Sequence, residues 1–154
     1  MLAHSDAVAI STYPYMIVDN VGLSGDDNVV VASYFDSALD LRNGSGLPLM
    51  FEQTGYISEP LTTASGDTVD TDEQTQQNFL RYVLEFATAE QAALVSNFVA
   101  IDYGDFYGTG AIEQTWASAG LYRQDLSEKP ALTTWRAFFD RPYTPDSAPT
   151  AIEP

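Results

Sequence analysis

The residues best placed to do chemistry lie in LPLMFEQTGYISEP, residues 47–60, where the apolar run Leu47 to Phe51 is followed by Glu52. A continuous apolar run of this length suits a short strand covered on both faces, so Glu52 stands where the strand should end. A carboxylate there either faces solvent in a loop or points into a site built on strand ends. Held rigidly with tyrosine hydroxyls in reach, it could attack an anomeric carbon. A second carboxylic acid roughly 5–5.5 Å away would then protonate the leaving oxygen, as in retaining glycoside hydrolysis. Asp102 or Asp105 could supply that acid. The competing reading of Glu52 is a solvated or ion-paired loop acid.

Other chemistries find less support. The single histidine, His4, lies near the N-terminus and reads as a surface residue, which leaves a Ser/His/Asp triad without a base. YGDFYGTG has glycines but no Lys-Ser/Thr pair and no capped helix after it, so it is not a phosphate loop. Asp26, Asp27 and Asn28 lack the spacing and terminal Glu of a calcium loop and read as a solvated turn. Asn43, Gly44 and Ser45 match a glycosylation acceptor but read most simply as the turn ending a helix. The aromatics Tyr103, Phe106, Tyr107 and Trp116 could form a sugar-stacking platform, or simply pack in core and loops. No metal-ligand set and no cofactor motif is expected.

Composition narrows the partners. The 154 residues suffice for one domain with a real core, and 45% hydrophobic content argues against disorder. The net charge of −16, with 22 acidic against 6 basic residues, repels phosphate backbones and anionic lipid, so neither nucleic acid nor membrane is expected as a partner. Cysteine is absent, which excludes disulfides and thiolate metal sites. No apolar run reaches the roughly 20 residues of a membrane span, and residues 1–20 carry acids and polar breaks foreign to a signal peptide.

The elements that must position Glu52 follow from periodicity. DAVAISTYPY, residues 6–15, reads as a strand stopping near Tyr13, because Pro14 cannot donate to a ladder. Tyr13 and Tyr15 then lie at its C-terminal end. Residues 29–41 place Val31, Tyr34, Phe35, Ala38 and Leu39 at helical spacing, with RNGSG as the stop. After the strand ending at Glu52, residues 57–70 are polar and rich in breakers. Thr71 to Gln74 has the form of a capping box opening a helix whose stripe is Phe79, Tyr82, Val83 and Phe86. A third strand is expected at about 97–102, ending in Asp102 and Tyr103. Residues 104–128 are irregular, with GLYRQDLSEKP resembling a small hairpin or arm. Pro130 opens a last amphipathic helix through Leu132, Trp135, Phe138 and Phe139. The Pro-rich tail, residues 142–154, should be frayed, leaving 1–141 as the folded part. Strand and helix alternate three times, which predicts βαβ units, a parallel sheet and a ligand at the strands' C-terminal edge.

Together, DAVAISTYPY, LPLMFEQTGYISEP, FVAIDYGDFYG and GLYRQDLSEKPALTTWRAFF resemble the last three strand-helix units of (β/α)₈ glycoside hydrolases of the retaining clan that includes endo-β-1,4-galactanases and β-1,3-glucanases. The resemblance extends to about Phe139. It implies an α/β partial TIM barrel of about three parallel strands. It makes Glu52 the nucleophile and Tyr13 or Tyr15 the aromatic that orients it and contacts sugar. Tyr56, in Glu52-Gln53-Thr54-Gly55-Tyr56, Asp102 and Tyr103 complete the expected substrate-binding set, although the aromatic ending the last strand is commonly Trp in that family. It also implies a β-linked poly- or oligosaccharide ligand, endo-acting hydrolysis in the complete protein, and an extracellular or periplasmic setting.

The clan's acid/base ends the fourth barrel strand, for which this chain has no counterpart, and a complete barrel needs about 250 residues. The expectation is therefore a barrel's C-terminal part: a truncated reading frame, an excised segment or one half of an assembly. Such a piece binds sugar weakly and does not turn over alone. Two alternatives stay open: a non-catalytic carbohydrate-binding protein, and a structural α/β domain that self-associates through its open sheet edges.

Overall fold

The computed structural model describes residues 4–16, 28–62, 66, 68–104, 114 and 116–142, with backbone alone for residue 16 and residues 28–34. In chain order the elements are β1 (Val8–Thr12), α1 (Asn28–Ser45), β2 (Leu49–Thr54), β3 (Leu61–Thr62), β4 (Thr68–Val69), α2 (Glu73–Ala89), β5 (Leu94–Asn97) and α3 (Pro130–Phe139). The strands β1, β2 and β5 form a parallel sheet in the order β1-β2-β5, and β3 pairs antiparallel with β4. Strands alternating with helices around a parallel sheet give the α/β, partial (β/α)₈ fold that the sequence implies.

One face of the sheet carries the core. Val8, Leu49 and Phe51 point into a cluster with Phe35 of α1 and Phe79, Val83 and Phe86 of α2. Phe35 is the hub, with ring centroids 5.4 Å from Phe51 and 4.8 Å from Phe86. Burying such side chains stabilises the fold by about 1.5–3 kcal/mol each. A second cluster joins α2 to α3 through Leu80, Leu84, Leu121, Ala131 and Leu132, with Gln77 Nε2 donating to Pro130 O and Thr134 Oγ1 across the same seam. The opposite sheet face is thinly covered among the described residues: Ala9, Ser11, Gln53 and Leu94 are exposed.

Several boundaries differ from expectation, each for a local reason. The last strand is Leu94–Asn97, not 97–102. The apolar run Val99 to Ile101 instead meets the arm: Ala100 O accepts from Leu121 N and Tyr122 N, and Ile101 bridges to Tyr122. The arm folds back on itself at the Tyr122–Glu128 bridge, as its sequence suggests. Helix α2 is capped by Asp72, whose Oδ1 accepts from Thr75 N at 2.7 Å; the Thr71 hydroxyl donates to Ile57 O instead. Helix α1 continues through Asn43, Gly44 and Ser45 before Gly46, at φ 71°, ends it. The polar connection after β2 contains the β3–β4 pair. Asp26, Asp27, Asp105, Phe106, Tyr107 and the tail 143–154 lie outside the described residues. No described helix is long and apolar enough to cross a membrane.

Candidate functional site

Strand β2 runs to Thr54, so Glu52 lies inside it rather than at its end. Its register explains what Glu52 does there. Against β1, Ile10 is opposite Phe51, and the next residue, Ser11, is opposite Gln53; Glu52 has no counterpart. Against β5, Phe51 is opposite Val95 and Thr54 opposite Asn97, again one residue more on β2. Glu52 is the extra residue of a β-bulge, a feature that reverses the facing of all that follows it in the strand. Thr54 therefore returns to the helix-covered face, where its hydroxyl accepts from Thr12 Oγ1 at 2.7 Å, both residues fully buried. Gln53 joins Ala9, Ser11 and Met50 on the open face.

Tyr13, the first residue after β1, reaches across this edge. Its hydroxyl donates to Gln53 Oε1 at 3.2 Å. Its ring meets Phe98 at 6.1 Å, Trp116 at 6.1 Å and Tyr15 at 6.3 Å between centroids, all edge-on. Burial, helped by Tyr103 nearby, pushes the Tyr13 hydroxyl up to about 12, so it stays a neutral donor at physiological pH. Trp116 completes the triangle at 6.3 Å from Phe98, and its buried Nε1 donor has no hydrogen-bond partner among the described residues. Gly55 makes this edge possible, since a Cβ there would lie 2.6 Å from Phe98 O.

The remaining expected residues divide between support and scaffold. Tyr15, 2% exposed in the 3-10 turn Pro14–Met16, stacks edge-on against Tyr56, 1% exposed, at 5.1 Å. Both belong to the core that backs Tyr13, and burial raises the Tyr15 hydroxyl further still. Asp102 lies five residues beyond Asn97 and is held in a buried ion pair with Lys129, at 2.7 Å from Oδ1 and 2.6 Å from Oδ2. Lys129 Nζ also donates to Ser58 Oγ and Ser118 O, and Asp102 Oδ1 accepts from Gly120 N. Burial pulls the Asp102 carboxyl up and the Lys129 ammonium down, each resisted by the other's charge. This pair locks the arm to the loop after β5. An open groove of about 680 Å³ beside it is lined by Glu59, Glu73, Asp102, Arg123, Asp125 and Lys129, and excludes Glu52 and Tyr13. Its cations are already engaged, Arg123 bidentate on Glu73 at 2.7 Å and Lys129 on Asp102.

The structure thus brings Glu52, Tyr13 and, behind them, Tyr15 and Tyr56 to one edge, and sets Asp102 apart in the scaffold. Gln53 and Phe98 join that edge without having been expected there. Trp116, named from the sequence only as one of several aromatics that could stack on sugar or pack in the core, takes its place beside Tyr13 and Phe98. The Gln53 signal was present as an acid-amide pair before Thr-Gly, but choosing between neighbours required the bulge. Among the described residues no group of three or more His, Cys, Asp or Glu side chains could hold a metal ion.

No family model matches the chain, and no curated protein matches it in sequence. Solved structures do match in fold. The chain is similar to a Bifidobacterium dentium β-glucuronidase (TM-score 0.63, 21% identity), covering 90% of this chain and 21% of that one. A Faecalibacterium prausnitzii β-glucuronidase matches at TM-score 0.62 and 22% identity, over 89% of this chain and 22% of that one. An active-site mutant of a Rhizomucor miehei β-1,3-glucanosyltransferase, complexed with laminaritriose, matches at TM-score 0.55 and 22% identity, over 82% and 42%. The chain spans about a fifth of the length of these glucuronidases and under half of the transferase.

Proposed function

We propose that the chain forms one wall of a glycan site in a barrel related to the retaining, endo-acting glycoside hydrolases, and that its ligand is a β-linked poly- or oligosaccharide. The observation that carries this reading is the convergence of Tyr13, Glu52, Gln53, Phe98 and Trp116 at the C-terminal edge of a parallel sheet. Edge-on rings with polar groups between them suit a sugar, whose axial C–H groups lie on aromatics while its hydroxyls take hydrogen bonds. Glycoside hydrolases among the structural neighbours support the same class of ligand. In this reading Tyr13 touches sugar, while Tyr15 and Tyr56 hold it in place. Glu52 has the nucleophile's role that the resemblance gives it, and the acid/base comes from strands outside this chain.

The test is a barrel completed with the missing strands. It should hydrolyse a β-glucan or β-galactan, and Glu52→Gln should abolish turnover; normal turnover by that variant would remove Glu52 from the mechanism. A second reading, a non-catalytic carbohydrate-binding barrel, is favoured by one observation: the hydroxyl of Tyr13 engages the amide of Gln53 and not the carboxylate of Glu52. Affinity for oligosaccharides without hydrolysis in the completed barrel would decide for it.

A further inference from the structure

We infer that Gln53, not Glu52, occupies the tyrosine-held position on the open face of the sheet, so that the chain presents a neutral carboxamide where covalent glycoside chemistry needs a carboxylate. The inference deepens the non-catalytic reading above and rests on it for the identity of the ligand.

Two observations that do not depend on each other lead there. The first is register. With Glu52 as the bulge residue, Ser11 is opposite Gln53 and Thr12 opposite Thr54. Val8, Leu49 and Phe51 face the helices, whereas Ala9, Ser11, Met50 and Gln53 share the opposite face. In a (β/α)₈ barrel that opposite face is the interior, and residues at its C-terminal end are the ones that meet ligand. The second is the Tyr13 hydroxyl, fixed by three rings and bonded to Gln53 Oε1. Glu52 is exposed, and its side chain has no hydrogen bond or ion pair among the described residues.

The chemical consequence follows from charge. A carboxylate can attack an anomeric carbon, forming a C–O ester bond as the leaving oxygen departs with a proton from the acid. A neutral carboxamide has no such charge to give, and with Oε1 on Tyr13 its Nε2 hydrogens serve as donors to a sugar hydroxyl. The edge then orients a glycan without forming a covalent bond to it.

The experiment uses the chain as it stands and has two arms. In the first, ¹³C-carboxyl NMR follows the wild type, Gln53→Glu and each of these with Tyr13→Phe. The carboxyl introduced by Gln53→Glu should titrate lower with Tyr13 present than with Tyr13→Phe, while the Glu52 carboxyl resonance is unmoved by Tyr13→Phe. A Glu52 resonance that responds to Tyr13→Phe, or an introduced carboxyl that does not, overturns the inference. The second arm titrates laminaritriose. Gln53→Ala should weaken binding tenfold or more, and by more than Glu52→Ala does; the reverse order again overturns it. A wild-type chain that shows no interaction with laminaritriose at any concentration counts against the glycan ligand, and the first arm still decides the placement of Gln53.

Discussion

Lys129 is the only lysine in the chain and is 1% exposed, which is unusual for a residue that normally keeps its ammonium in water. Its burial is tolerable because Asp102, Ser58 and Ser118 satisfy all three hydrogens. Removing one partner leaves the other charged, buried and alone. Lys129→Met should therefore destabilise the fold by about 3–5 kcal/mol, whereas the double change Lys129→Met with Asp102→Leu should recover most of that loss. Urea unfolding of the two variants measures the difference; equal losses would mean that the pair is not coupled. Sequence reading assigned Asp102 to a sugar, because an acid followed by a tyrosine at the end of an apolar run looks like a strand end. What the sequence hid was its partner 27 residues away, since burial of a lone lysine has no local pattern.

At the level of elements, the strand-helix alternation was legible because apolar spacing records which face is covered. The Pro130 start of α3 is where the sequence puts it. Phe79 and Val83 of the expected α2 stripe are buried, but Tyr82 and Phe86 are only partly so, and Gln76, Leu80, Leu84 and Ala87 complete the buried face. Boundaries that depend on tertiary pairing were not legible. The bulge at Glu52 leaves no mark in residue type, and it sets Gln53 rather than Glu52 opposite Ser11. The cap of α2 is another case: Thr71 and Asp72 are both good caps, and the choice fell to Asp72 once Ile57 O had taken the Thr71 hydroxyl. Asp72→Ala should cost about 1 kcal/mol at pH 7. The cap also fixes the sign of a pH effect. The Thr75 backbone and side-chain hydrogen bonds hold the Asp72 carboxyl below its ordinary value, so its contribution is present above the unfolded value of about 3.9 and is lost as pH falls through the lower folded one. The gap in unfolding free energy between wild type and Asp72→Ala should thus be full at pH 7 and should shrink below about pH 4. A gap independent of pH would place the stabilisation elsewhere. Gly55→Ala tests the edge itself: its Cβ would press on Phe98 O, and the variant should lose stability and disturb the Tyr13 ring resonances together.

For the whole molecule, two properties pull in opposite directions. A parallel sheet is normally covered on both faces, yet here β1 and β5 form its edges and Ala9, Ser11 and Leu94 stand exposed on its open face. Edges left unpaired among the described residues can recruit further strands, whether from the rest of a barrel or from another copy. Opposing this is a net charge of −16, which makes copies of the chain repel one another at neutral pH. The balance should shift with pH and salt in a defined direction. Near the isoelectric point of about 4.1 the repulsion vanishes, and at pH 7 raising NaCl from 0.1 to 1 M shortens the Debye length from about 10 to 3 Å. Sedimentation velocity should accordingly show a monomer at pH 7 in low salt and oligomers at either other condition. A charge placed on the open face discriminates edge-driven assembly from simple isoelectric precipitation. Ala9→Lys should hold the chain monomeric in 1 M NaCl at pH 7, because a lysine there must be buried for a strand to add alongside β1 with its open face covered. Oligomers that persist unchanged in Ala9→Lys would mean that association uses another surface, and a monomer under every condition would mean that the edges of β1 and β5 are not the adhesive feature they resemble.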